Sequence, residues 1–141
     1  MKVLRRFHFY AAHRNAEIGG KCARLHGHCY RVEVVIDFPY TSGGVSLPFE
    51  MIDKVVAPLF AEFDHRTIVD VYDADLMSAI PVDQRVDVLF PTSAENLAAY
   101  FLRRITTVMQ DIGTPTELRL SETDSGTIIC TPADLKDYPT R

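Results

Sequence analysis

Two runs of alternating residues constrain this chain more than anything else in it, because each meets histidine at one end. Phe7, Phe9, Ala11 and His13 fall on one face of an extended segment from about Lys2 to His13. Tyr30, Val32, Val34 and Ile36 form the apolar face of a second segment, from about His28 to Asp37, while Arg31, Glu33 and Asp37 point the other way. His26 and His28 share the parity of that apolar face. If the extended conformation reaches back that far, both imidazoles stand at the end of a buried surface and not in open solvent. His8 has the opposite parity from His13 and is set aside.

The rest of the chain reads as helix, helix, strand, strand. Residues 38–45, with Pro39, Gly43 and Gly44, form a turn-rich loop. A helix is expected from Pro48 to Phe60, because Phe49, Ile52, Val56, Leu59 and Phe63 recur at spacings of three and four. Pro48 suits a first turn, but Pro58 conflicts with the last one. Residues 70–90 have weak periodicity and are read as largely irregular, with a short strand at about Arg85 to Phe90. Thr92-Ser-Ala-Glu95 fits a capping box, in which the Thr92 hydroxyl and the Glu95 carboxylate satisfy early backbone donors. Leu97, Phe101, Ile105, Val108 and Met109 then form an apolar stripe that Gly113 and Pro115 bring to an end. Strands at about Thr116–Thr123 and Thr127–Thr131 are joined by the hairpin turn Thr123–Gly126. Leu118, Leu120 and Glu122 share a face, which puts a carboxylate at the end of an apolar row. Unpaired burial there is costly, so Glu122 needs solvent or a donor-rich partner.

A length of 141 residues suits a single domain with one core. The net charge of −4 and the lack of a Lys/Arg stripe argue against nucleic acid as a partner. No apolar stretch approaches the roughly 20 residues needed to span a bilayer, and the N-terminus lacks the apolar run of a signal peptide. Three cysteines, Cys22, Cys29 and Cys130, make an odd count without framework spacing, so reduced thiols and a cytoplasmic location are expected.

His13, His26 and His28 supply three imidazoles from two strands, the ligand set of a catalytic zinc ion with an open fourth position, although His-Gly-His by itself would equally suit ordinary polar residues near a turn. Cys22, four residues before His26 and between Lys21 and Arg24, is open to three roles: fourth ligand, catalytic base or bystander. Cys29 and Cys130 read as structural. In Asp64-His65-Arg66 the carboxylate can set the imidazole's tautomer, although His and Arg closing a helix would have the same appearance. Glu122 could accept two parallel hydrogen bonds from an amidine-like edge such as that of a guanine or pterin ring, or could simply reach water.

Taken in order, Phe-Tyr-Ala-Ala-His13-Arg, Cys22-x-x-x-His26-Gly-His28-x-Tyr30, Phe63-Asp-His65-Arg, Pro91-Thr-Ser-Ala-Glu-Asn-Leu97 and Glu122-Thr123 resemble the 6-pyruvoyltetrahydropterin synthase family over nearly the whole chain. The three-residue gap between Cys22 and His26, with lysine before the cysteine, is most similar to the bacterial 6-carboxy-5,6,7,8-tetrahydropterin synthase (QueD) branch, which serves queuosine biosynthesis. A further branch that uses a glutamate near the cysteine is disfavoured, since no acidic residue lies between Cys22 and His26. The resemblance implies an α+β tunnelling fold (T-fold) of order ββααββ, with a four-stranded antiparallel sheet and two helices on one face. Sheets of this kind join into a barrel, typically in a homohexamer of two stacked trimers with active sites between subunits. It also implies that His13, His26 and His28 bind Zn²⁺ and that Cys22 is the base. Asp64 and His65 would complete its proton relay from a neighbouring subunit, and Glu122 would anchor the pterin. The implied reaction converts 7,8-dihydroneopterin triphosphate to 6-carboxytetrahydropterin, acetaldehyde and triphosphate. The pyruvoyl product and a non-catalytic pterin-binding zinc module are the alternatives. Pro48 departs from the family, which often has aspartate before the phenylalanine at the start of the first helix.

Overall fold

The structure, a computed structural model, describes residues 1–44 and 47–136; Val45, the last residue of the expected loop, lies outside them. The two alternating runs form one long antiparallel hairpin, β1 (Lys2–His13) and β2 (His26–Asp37), in register from Lys2 opposite Asp37 to His13 opposite His26. Phe9, Tyr30, Val32, Val34 and Ile36 are fully buried on one face, as the period of two requires.

The sheet has six strands and not the four expected, in the order β4-β3-β1-β2-β5-β6. β5 (Thr114–Ser121) pairs antiparallel with β2, and β6 (Thr127–Cys130) pairs antiparallel with β5. Of the two strands beyond the four, one is the short strand expected at about Arg85 to Phe90, and the other, just before the weakly periodic stretch, was not expected. β3 (Arg66–Asp70) runs parallel to β1, meeting it at Ala11 and Ala12, and β4 (Arg85–Val88) runs parallel to β3. Between them lie a short third helix, α2 (Ala74–Ala79), and the 3-10 turn Val82–Gln84. Asp73 caps α2 by accepting from the Leu76 N–H.

α1 (Phe49–Ala61) and α3 (Ala94–Val108) pack against the sheet. α1 buries Ile52, Val56, Leu59 and Phe60, whereas Phe49 is largely exposed and its ring lies beneath the Arg5 guanidinium. Pro58 stays inside this helix. It is on the exposed side, where water can satisfy the carbonyl it leaves unbonded. α3 buries Leu97, Phe101 and Ile105, but its cap is Ser93, whose Oγ accepts from the Asn96 N–H, and not Thr92.

Between helices and hairpin sits an aromatic cluster. The Phe9 ring stacks on Tyr30 at 4.9 Å and on Phe60 at 5.8 Å, and meets Phe101 edge-on at 5.4 Å. It lies directly beneath the histidines at the end of the hairpin: the Tyr30 ring is 5.9 Å from His13 and 5.5 Å from His28.

Candidate metal centre and its cavity

Because His13 pairs with His26 at the end of the hairpin, and His28 follows at the next same-face position, three imidazoles meet at one point. Their ring centroids are 4.7, 5.2 and 4.9 Å apart, and one ligand atom from each lies within 4.8 Å of the other two. Gly27, between the two β2 histidines, faces away, where a Cβ would meet the Ala11 carbonyl at 3.3 Å.

The hydrogen bonds around the rings leave the inward nitrogens free. His13 Nδ1 is 2.6 Å from the Thr92 carbonyl and His26 Nδ1 is 2.6 Å from the Arg24 carbonyl. A carbonyl only accepts, so each Nδ1 carries the proton and each Nε2 keeps its lone pair. The Nε2 atoms of His13 and His28 are buried without a hydrogen-bond partner. Orphaning a buried polar atom costs about 1–3 kcal/mol, and a divalent cation shared by the three rings removes that cost. His13 is 3% exposed, and burial, reinforced by the neighbouring His26 and His28, lowers its pKa to about 4. It is therefore neutral at physiological pH, as a metal ligand must be. The residues present fit a metal ion.

Glu122 lies just past β5. Its Oε1 accepts from the Tyr30 hydroxyl at 3.3 Å and stands 3.6 Å from His13 Nε2. The Tyr30 phenol is pushed up in pKa, first by burial and then by this carboxylate, so it remains a donor.

Cys22 comes from the loop of residues 14–25. Its carbonyl accepts from the Asn15 N–H at 2.7 Å, and the bend at Gly19 and Gly20, both at positive φ, returns the chain toward the hairpin. Cys22 is exposed, and it lines a cavity of about 440 Å³ together with His13, His26, His28 and Glu122. That is large enough for a small heterocycle. Asn15 and Ile18, which no sequence pattern marks, also line it, as does Glu95, which the sequence presents only as a capping residue.

Asp64 and His65 are not in this cavity within one chain. They occupy a turn after α1, and His65 lines a second cleft with Tyr10, Gly27 and Cys29, on the other side of His28, which borders both. They do form a pair: Asp64 Oδ2 is 2.9 Å from His65 Nδ1, while Asp64 Oδ1 accepts from the Tyr10 N–H at 2.8 Å. The Tyr10 bond, then His65, holds the Asp64 carboxyl below the usual range. His65 takes a positive φ of 59° and donates its own N–H to the Tyr10 carbonyl at 2.6 Å. The pair is thus clipped to β1, and no basic residue occupies the last turn of α1.

Helices against a predominantly antiparallel sheet, with three imidazoles gathered at one end of its long hairpin, form an α+β architecture that solved structures share. An uncharacterized protein from Wolinella succinogenes matches with a TM-score of 0.83 at 17% identity, covering 94% of this chain and 98% of that one. The 6-pyruvoyltetrahydropterin synthase of Plasmodium vivax matches with a TM-score of 0.75 at 18% identity, covering 92% and 96%. That of Caenorhabditis elegans matches at 0.71 and 21%, covering 93% and 94%. At these identities the likeness is one of fold. The model of the 6-pyruvoyl tetrahydropterin synthase family matches residues 2–133, and the chain belongs to that family. A Pyrococcus horikoshii protein carrying the provisional name 6-carboxy-5,6,7,8-tetrahydropterin synthase is 33% identical over 102 residues. The alignment spans 63% of this chain and 62% of that relative.

Proposed function

We propose that the protein is a zinc-dependent 6-carboxy-5,6,7,8-tetrahydropterin synthase. It would convert 7,8-dihydroneopterin triphosphate and water to 6-carboxytetrahydropterin, acetaldehyde and triphosphate, a lyase reaction on the route to queuosine and other 7-deazapurines. The observation that carries this reading is the pair of buried, unpartnered imidazole nitrogens, one of them 3.6 Å from Glu122, in a cavity that also holds a thiol. The carboxy product is preferred over the pyruvoyl one on the Cys22-x-x-x-His26 spacing and the likeness to the Pyrococcus protein.

His13, His26 and His28 would hold the zinc ion, which supplies Lewis acidity toward the oxygens of the substrate's side chain and so acidifies the adjoining C–H groups. Glu122 orients the ring by accepting the paired N–H groups of the pterin edge, with Tyr30 fixing one of its oxygens. Cys22 takes a proton from the side chain as a thiolate. Asp64 binds His65 Nδ1 and leaves Nε2 to deliver and receive protons. Tautomerisation reduces the ring at the expense of the side chain, so no external reductant is needed. Since His65 and Cys22 line different clefts of one chain, a second copy would complete the relay, in a homohexamer of stacked trimers.

Incubation of the zinc-loaded protein with 7,8-dihydroneopterin triphosphate, with products identified by mass, tests the proposal. Acetaldehyde with the carboxy pterin is the expected outcome. A pyruvoyl product would move the chain to the other branch, and pterin binding without turnover would make it a binding module.

A further inference from the structure

We infer that Thr92 is a positioning residue for the metal centre: its backbone carbonyl selects the tautomer of His13, and its hydroxyl locks that carbonyl in place. The inference rests on the reading of the three histidines as metal ligands. His13 has two acceptors competing for a single ring proton. The Thr92 carbonyl is 2.6 Å from Nδ1, whereas the Glu122 carboxylate is 3.6 Å from Nε2, beyond hydrogen-bond range. The shorter contact decides the tautomer, and it is the one that leaves Nε2 as a lone pair among the three rings. Without Thr92, the carboxylate would draw the proton to Nε2 and close the site to a cation.

A loop carbonyl can do this only if it is held still. Thr92 is 3% exposed, and its Oγ1 donates to the Arg14 carbonyl at 2.8 Å. Thr92 therefore grips the end of β1 at the ring of His13 and, just past the strand, the backbone of Arg14. The grip is anchored on both sides. Arg14 Nε binds Asp73, the cap of α2, at 2.6 Å, and a second guanidinium nitrogen binds the other oxygen of Asp73. On the other side, Asn96 Nδ2 and the Ser93 N–H both donate to the Pro91 carbonyl at 2.8 Å. The hydroxyl that a capping box would have spent on α3 is instead spent on β1.

The test compares Thr92→Val, which keeps the shape and loses the hydroxyl, with Thr92→Ser, which keeps the hydroxyl. Co²⁺ affinity is read by visible absorption, and the His13 tautomer is read in metal-free protein from its ring ¹⁵N shifts at neutral pH. The valine variant is expected to bind Co²⁺ some 10–100-fold more weakly, the range for loss of a group that orients a ligand, while serine stays within about threefold of the parent. Metal-free parent should show His13 with Nδ1 protonated, and the valine variant should show a mixture. Unchanged affinity and an unchanged tautomer in the valine variant would overturn the inference. So would an Nε2-protonated His13 in the metal-free parent, a result that requires no variant to fold. If the parent binds no metal at all, the metal reading fails, and the tautomer measurement still decides the role of Thr92.

Discussion

His13 Nε2 and Glu122 Oε1 face each other across 3.6 Å in a site where the Tyr30 hydroxyl already occupies the carboxylate oxygen. Two lone-pair-bearing atoms at that separation repel unless a cation lies near them, so the carboxylate would support a cation held by the three imidazoles while its other oxygen stays available to a ligand. Glu122→Gln keeps the shape and removes the charge. It is expected to weaken binding of a pterin, measured by fluorescence titration, by about 1.5–3 kcal/mol, the worth of a hydrogen bond to a charged group. Zinc content should be largely retained, and zinc loss equal to that of a histidine variant would show that Glu122 is instead a ligand.

Cys22 and His26 separate cleanly by metal analysis. Cys22→Ala should abolish turnover with one zinc ion still bound per chain, because three imidazoles remain in place. His26→Ala should deplete zinc. Zinc lost from the cysteine variant would make Cys22 a fourth ligand.

The metal-free protein should lose stability on mild acidification. Folded His13 has a pKa lowered to about 4 against an ordinary value of 6.5. Below 6.5 the unfolded chain takes up a proton that the folded chain refuses, so stability falls with pH through this window, and the loss is complete below about 4. Each unit is worth about 1.4 kcal/mol, which puts the total on the order of 3 kcal/mol. Urea midpoints between neutral pH and pH ~4.5 should drop more steeply for the parent than for His13→Gln. Parallel curves would assign the acid sensitivity to other groups.

Asp64–His65 lends itself to complementation. His65 has an exposed side chain, so His65→Ala should leave folding and zinc content intact while suppressing turnover. Co-refolded Cys22→Ala and His65→Ala chains should regain activity at roughly a quarter of the sites if each site takes its thiol and imidazole from different subunits. Two inactive parents giving an inactive mixture would rule out the shared relay.

Phe9 is fully buried, and its ring touches Tyr30, Phe60, Phe63 and Phe101. Phe9→Ala should cost about 3–5 kcal/mol in chemical denaturation. It should also loosen zinc, since Tyr30 is the floor on which His13 and His28 rest. Full zinc affinity in a destabilised variant would separate the core from the site.

What the residues disclosed before the fold was known follows from how strongly each pattern repeats. The alternation in β1 and β2 puts His13, His26 and His28 on one parity, but only the structure shows that β2 reaches back to His26, two residues before the expected start; Leu118, Leu120 and Glu122 share a parity in the same way. β3 escapes this test because Ile68 and Val69 are both buried. A short parallel strand covered on both sides has no alternation to detect. Thr92 was legible as polar and important but not in its role. Thr92 and Ser93 are both good caps, each three residues ahead of a polar residue, and only the tertiary position of β1 decides which hydroxyl is free to leave the helix.

The partial pairing of β1 has a consequence for how the molecule meets its neighbours. Tyr10 turns both its backbone groups outward, to Asp64 and His65, and β3 takes over at Ala11 and Ala12. Leu4, Arg6 and His8 share the parity of Tyr10, yet no described strand lies against them on that side. Among the described residues, the first two-thirds of β1 thus faces no strand on that side, and the same strand ends at His13. Such a seam attracts another strand, and the charged Arg6 guards it from indiscriminate joining. A neighbour that zipped onto it would be aligned, through one stiff strand, with the imidazole of His13.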